Sequence, residues 1–161
     1  MRKQKNNIFL FFILLFISIV LVSALVIQYI LGHQPCNLCV YQRVPYIFSI
    51  ILIAQLLLFN KYEKISLLII SLLFIGNFFL SIYHVGIEQG IFSESLFCET
   101  KNVGENLSKE QLLKQLEQNL ISCKDVSIRV FGLSLAAINI IFSIILSIMF
   151  VKFFMNSKIN K

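Results

Sequence analysis

The sequence predicts an all-α membrane protein, a four-transmembrane-helix bundle with a short amphipathic helix in its second outer loop. Hydrophobic residues make up 58% of the 161-residue chain, more than the roughly half expected of a soluble domain, and the mean hydropathy is +0.85. The chain divides into four apolar runs, and a helix rising 1.5 Å per residue needs about 20 apolar residues to cross a hydrocarbon core of about 30 Å. The basic residues behind the net charge of +6 flank those runs. Positive charge in that position sets membrane orientation, and without aromatics interleaved in a polar region it gives no support for nucleic-acid binding.

The first span is expected over residues 8–31, after Arg2, Lys3 and Lys5. Its 24 residues, Ile8 to Leu31, exceed the 7 to 15 of a signal-peptide apolar region, so an uncleaved span is expected. Gly32-His33-Gln34-Pro35 breaks the run, and His33 reads as a solvated turn residue. The second span is expected over 40–59, ended by Asn60-Lys61-Tyr62-Glu63-Lys64. Pro45 either lies inside this helix, where it removes a hydrogen bond, or marks its first turn after a separate turn holding the cysteines. The third span, 65–85, carries Gly76, Asn77, Ser81 and His84, and polar groups in a membrane helix face other helices or a cavity. His84 and Glu88 are i and i+4 near its outer end. They either flank a pocket mouth or form a solvated helix end, and position alone favours the solvated end.

Residues 86–129 are polar and form the second outer loop, the first being 32–39. Within it Ser108-Lys109-Glu110-Gln111 fits a capping box, and Leu112, Leu113, Leu116 and Leu120 follow at helical spacing. A short amphipathic helix from Ser108 to about Ile121 is therefore expected, lying on the membrane surface or packed on the loop. The fourth span is expected over 130–154, where Gly132, Ser134, Ala136 and Ala137 permit close helix contact. No internal repeat or second domain is apparent, so residues 1–161 form one membrane domain.

Charge then orients the bundle. The two termini and the 60–64 loop hold eight basic residues (Arg2, Lys3, Lys5, Lys61, Lys64, Lys152, Lys158, Lys161) and one acid, Glu63, whereas the opposite side holds six basic residues and seven acids. Both termini are expected in the cytoplasm, which puts all four cysteines on the side where disulfides persist. Cys36 and Cys39 form a tight pair, while 24 residues separate Cys98 from Cys123. That asymmetry argues against a structural zinc site built from two close pairs, and no metal is expected. Val40 follows Cys39, so covalent haem attachment has no support.

On a helical backbone Cys39 and Arg43 are i and i+4, and Cys36 shares their face. A guanidinium beside a thiol, and the first turn of a helix, both favour the thiolate that attacks disulfides. The plain alternative for Arg43 is a side chain reaching the head groups. Two cysteine pairs on one face, one beside a cation at a helix end, suggest a thiol relay: electrons enter at the loop pair, pass to the tight pair by exchange, and leave through the membrane. With no haem, flavin or iron–sulfur signature, a lipid-soluble quinone is the expected acceptor.

Pro35-Cys36-Asn37-Leu38-Cys39-Val40-Tyr41-Gln42-Arg43-Val44-Pro45-Tyr46 resembles the Cys-x-x-Cys-x-x-x-Arg signature of the DsbB family, bacterial disulfide bond formation protein B. Tyr83-His84-Val85-Gly86-Ile87-Glu88, the single Cys98 and Cys123, and Phe131-Gly132-Leu133-Ser134-Leu135 follow in the family's order. The resemblance implies a four-helix bundle in the bacterial inner membrane that reoxidises a periplasmic DsbA-type thiol oxidase and passes electrons to ubiquinone or menaquinone. By motif position, Cys98 would form the mixed disulfide with the oxidase and Cys123 would attack Cys36, leaving Cys39 as the thiolate. Arg43 would hold that thiolate and the charge developing on the quinone, with His84 and Glu88 also near the quinone. The chain has no Trp, and Ile138 stands where a tryptophan is common in the family. Vitamin K epoxide reductase-like enzymes place the loop pair before the Cys-x-x-Cys, the reverse of the order here. A membrane scaffold with two structural disulfides would have no use for Arg43 beside the thiols.

Overall fold

The structure, a computed structural model, describes residues 2–59, 62–93, 123–124, 129–130 and 132–159. Its helices are α1 (Arg2–Tyr29), α2 (Asn37–Phe59), α3 (Glu63–Glu88) and α4 (Leu135–Ile159), with a two-stranded pair, β1 (Arg129–Val130) and β2 (Leu133–Ser134), ahead of α4. Each of the four helices is long and apolar enough to cross a membrane. α3 packs most extensively on α4 and then on α2, and α1 is held mainly by α2. The expected amphipathic helix at 108–121 and Cys98 lie outside the described residues.

The four apolar runs become helices that bury one stripe inward and leave Phe12, Ile51, Leu58 and Phe79 exposed, as a lipid-facing surface requires. Ile17, Ile53, Ile70 and Phe150, one from each helix, are fully buried in a common core. Phe74 stacks on Phe150 at 6.0 Å and meets Tyr46 edge-on at 5.4 Å, both within the range of favourable ring pairs. Toward the end that carries the cysteines the contacts turn polar. Asn77 donates to Ser143 Oγ at 2.9 Å, Asn139 donates to Ser81 Oγ at 2.8 Å, and the Tyr46 hydroxyl donates to Asn139 Oδ1. These bonds tie α2, α3 and α4 together where apolar contact alone distinguishes poorly between helix and lipid.

Three of the boundaries that differ from the sequence expectation bear on the site. α2 starts at Asn37, so it takes in Cys39, and Pro45 lies inside it. α3 continues to Glu88, which puts His84 and Glu88 on its last turns. α4 begins at Leu135 and not at Val130. There the chain turns at Gly132, with φ +83°, pairs Arg129 with Ser134 and Val130 with Leu133, and starts the helix only where Ser134 Oγ accepts the Ala137 N–H at 3.2 Å.

The end of α3 folds back on itself. Gly90, at φ +73°, lets the Ile91 and Phe92 N–H groups return to the Gly86 carbonyl at 2.8 and 3.2 Å. The Phe92 ring then covers Gly86 and packs against Tyr83 at 5.6 Å. A Cβ on Gly86 would stand 2.2 Å from Phe92 Cδ2, so Gly86→Ala must expel that ring. Gly86→Ala is expected to cost about 1 kcal/mol, seen as a lower melting midpoint in detergent, and the loss should vanish in a Phe92→Ala background.

Candidate functional site: a thiol pair at the head of α2

Cys36 is the residue just before α2 and caps it. Its carbonyl accepts the Val40 N–H at 3.2 Å, and its sulfur accepts the Cys39 N–H at 3.2 Å, as a serine oxygen does at a helix start. Both cysteines are free thiols, Cys36 buried and Cys39 half-buried. The sequence therefore builds the site locally: a Cys-x-x-Cys beginning at the N-cap places the second thiol in the first turn, over the first.

His84 comes to this pair from α3. Its Nε2 stands 3.5 Å from Cys36 Sγ, and its Nδ1 stands 3.2 Å from Gln42 Nε2. Nε2 is also 3.8 Å from Glu88 Oε1. The ring is only 2% exposed, so His84 is a buried partner of Cys36 and not the solvated helix end that its position suggested. The Cys39 thiol, and after it the His84 ring, bond toward Cys36 Sγ, and together they outweigh its burial and hold the Cys36 thiol well below the ordinary thiol range. In the reduced pair negative charge thus settles on Cys36.

One turn on from Cys39, Arg43 reaches toward α1. Its guanidinium donates to Gln28 Oε1 and, at 3.5 Å, to the Ala24 carbonyl. Cys39 and Arg43 line one cavity of about 400 Å³ whose walls include Ile19, Tyr46, Ile138 and Phe142. It is apolar apart from a few groups such as Gln42, Arg43 and Asn139, the usual make-up of a small-molecule site. His84 and Glu88 are not among its lining residues. Ile138 makes that part of the wall aliphatic.

Cys123 is disulfide-bonded, 2% exposed, and packs in one buried cluster with Cys36, Leu38 and Ile87. A loop sulfur and the α2 pair therefore meet at this end of the bundle. Gln28 and Gln42 escaped the sequence reading. The signal was present in both: Gln28 is the most polar residue of an otherwise apolar span, and Gln42 sits one turn after Cys39.

A family model described as disulfide bond formation protein DsbB matches residues 6–153. An uncharacterized protein of Rickettsia prowazekii (strain Madrid E) is 30% identical over 150 residues, covering 91% of this chain and 87% of that protein.

Proposed function

The chain belongs to the DsbB family of disulfide bond formation proteins, and from that premise we propose that it oxidises the dithiol of a DsbA-type periplasmic oxidase and passes the two electrons to a membrane quinone. One observation carries this reading: the Cys36–Cys39 pair has a loop sulfur, Cys123, packed on one side and an apolar cavity with Arg43 on the other. The excess of basic residues at the termini and the 60–64 loop supports placing this end of the bundle outside the bacterial inner membrane.

The steps are thiol–disulfide exchanges, and the DsbA–DsbB–quinone relay is itself a standard example of such chemistry. A thiolate of the oxidase attacks the loop disulfide at Cys98 and frees Cys123 as a thiolate. Cys123 attacks Cys36 Sγ; the Cys123–Cys36 bond forms, the Cys36–Cys39 bond breaks, and Cys39 leaves as a thiolate. Because Cys36 Sγ is then in a disulfide, charge that the reduced pair would keep on Cys36 falls on Cys39, beside Arg43. The second thiol of the oxidase resolves its mixed disulfide, Cys98 recloses on Cys123, and Cys36 is released as the second thiol of the pair.

The cavity lined by Cys39 and Arg43 would hold the quinone, which when bound would supply a sink for two electrons and two protons while the Cys36–Cys39 bond reforms. Arg43, fixed to α1 by Gln28 and the Ala24 carbonyl, presents a permanent positive charge to Cys39 and to the cavity. His84 holds a proton at Nε2 against Cys36, with its ring fixed from behind by Gln42 and with Glu88 beside it. Purified protein given reduced DsbA-type oxidase and a quinone should consume one quinone per disulfide formed. Oxidase reoxidation with no quinone consumed would defeat the proposal.

A further inference from the structure

The reduced thiol pair and His84 together have a property that electron relay does not require. Cys36 Sγ, Cys39 Sγ and His84 Nε2 all lie within 4.8 Å of one another, and the Cys36–His84 separation is 3.5 Å. Two ligands of a tetrahedral zinc, with Zn–S of about 2.3 Å and Zn–N of about 2.0–2.1 Å, stand about 3.5 Å apart. Two thiolates and one imidazole are the donors that a borderline-soft d10 cation selects.

We propose that the reduced form of this protein binds one Zn²⁺-like cation through Cys36, Cys39 and His84, and that closing the Cys36–Cys39 disulfide abolishes the site. The surroundings fit a cation. Two thiolates neutralise its charge, so the ion can sit in a buried place without a net charge to desolvate. Arg43, on the cavity wall with Cys39, is held by Gln28 and the Ala24 carbonyl on α1 and offers no ligand atom of its own. Gln42 Nε2 stands 3.2 Å from His84 Nδ1, and turning that amide over on metal binding would present its oxygen to an Nδ1–H, the outer hydrogen bond that fixes a metal-binding histidine with Nε2 toward the ion. Glu88 Oε1 lies 3.8 Å from Nε2, outside the three-donor group, and water can fill the fourth position.

No electrons move on binding; the thiols bind as thiolates and their protons pass to solvent. The consequence is a redox-gated block. Free Zn²⁺ would hold the pair in its reduced form and out of disulfide exchange, and the oxidised pair, which has no thiolate to offer, would be indifferent to it. The site depends only on the geometry of the reduced pair, so it stands or falls separately from the quinone assignment.

The test is direct titration of purified full-length protein in detergent, reduced and freed of reductant, with Zn²⁺ competed against a chromophoric chelator and with Cd²⁺ followed by its thiolate charge-transfer absorption. One equivalent should bind to the reduced protein and none to the oxidised protein. A Cys98→Ala/Cys123→Ala variant, in which only the α2 pair can bind, should retain the equivalent. His84→Ala should weaken binding by at least about 100-fold, more than loss of an outer-shell partner alone. His84→Cys should restore it with a stronger Cd²⁺ band, which separates loss of a ligand from loss of fold. Binding that persists in the oxidised protein, or in a Cys36→Ser/Cys39→Ser variant, or that ignores His84→Ala, would overturn the proposal.

Discussion

Replacing Cys39 with serine is expected to abolish quinone-coupled turnover, a fall of at least about 10³-fold, because no other group on α2 can close the Cys36 disulfide and return electrons to the cavity. Cys36→Ser should be equally inactive: either variant lacks the Cys36–Cys39 disulfide, and Cys36→Ser also removes the sulfur that Cys123 attacks. The two variants should differ in what they trap. In Cys39→Ser the Cys36 thiolate can attack the loop disulfide at Cys123, release Cys98 and hold a lasting Cys36–Cys123 bond, whereas Cys36→Ser leaves Cys39 unpaired and the loop sulfurs to exchange with the oxidase. Non-reducing gels of each variant after exposure to reduced oxidase separate these outcomes. Undiminished turnover in either variant would end the relay mechanism.

Arg43→Ala is the second large effect. The guanidinium is the cation on the cavity wall beside Cys39, and a fixed charge of this kind aimed at developing negative charge is worth about 10²–10³ in rate. Quinone reduction should fall by that factor while exchange between the oxidase and the loop cysteines changes little, since Cys123 meets the pair on the Cys36 side. Arg43→Lys should recover only part of the rate, because an ammonium cannot hold Gln28 and the Ala24 carbonyl with two separate nitrogens. An equal loss in both steps would make Arg43 an anchor between α1 and α2 and nothing more.

How much of this site can be read from the sequence depends on how far apart its parts lie along the chain. Cys36 caps α2, and Cys39 and Arg43 lie one turn apart within it, so helical spacing alone puts Cys39 and Arg43 on one side. The four spans are equally legible, because each is an apolar run bounded by charge. What spacing cannot give is contact between helices. His84 meets Cys36 across 48 positions, and at the level of i and i+4 it pairs only with Glu88 and looks like a solvated end. Its burial follows from α3 packing against the head of α2, a tertiary event. Gln28 and Arg43 are 15 positions apart on neighbouring helices, and their bond is hidden in the same way. The start of α4 is misplaced from sequence because an apolar stretch beginning at Val130 does not show that Gly132 turns the chain and Ser134 caps the helix.

The central claim is that Cys36 and Cys39 occupy the outer end of the bundle, where one pair can serve a water-borne oxidase and a membrane quinone. Labelling of intact cells or right-side-out vesicles with a membrane-impermeant thiol reagent, after reduction, tests it most directly. The account predicts that Cys36 is modified from outside and that a cysteine introduced at Lys64, at the opposite end, is not. Modification of the Lys64→Cys site from outside with Cys36 protected would contradict it.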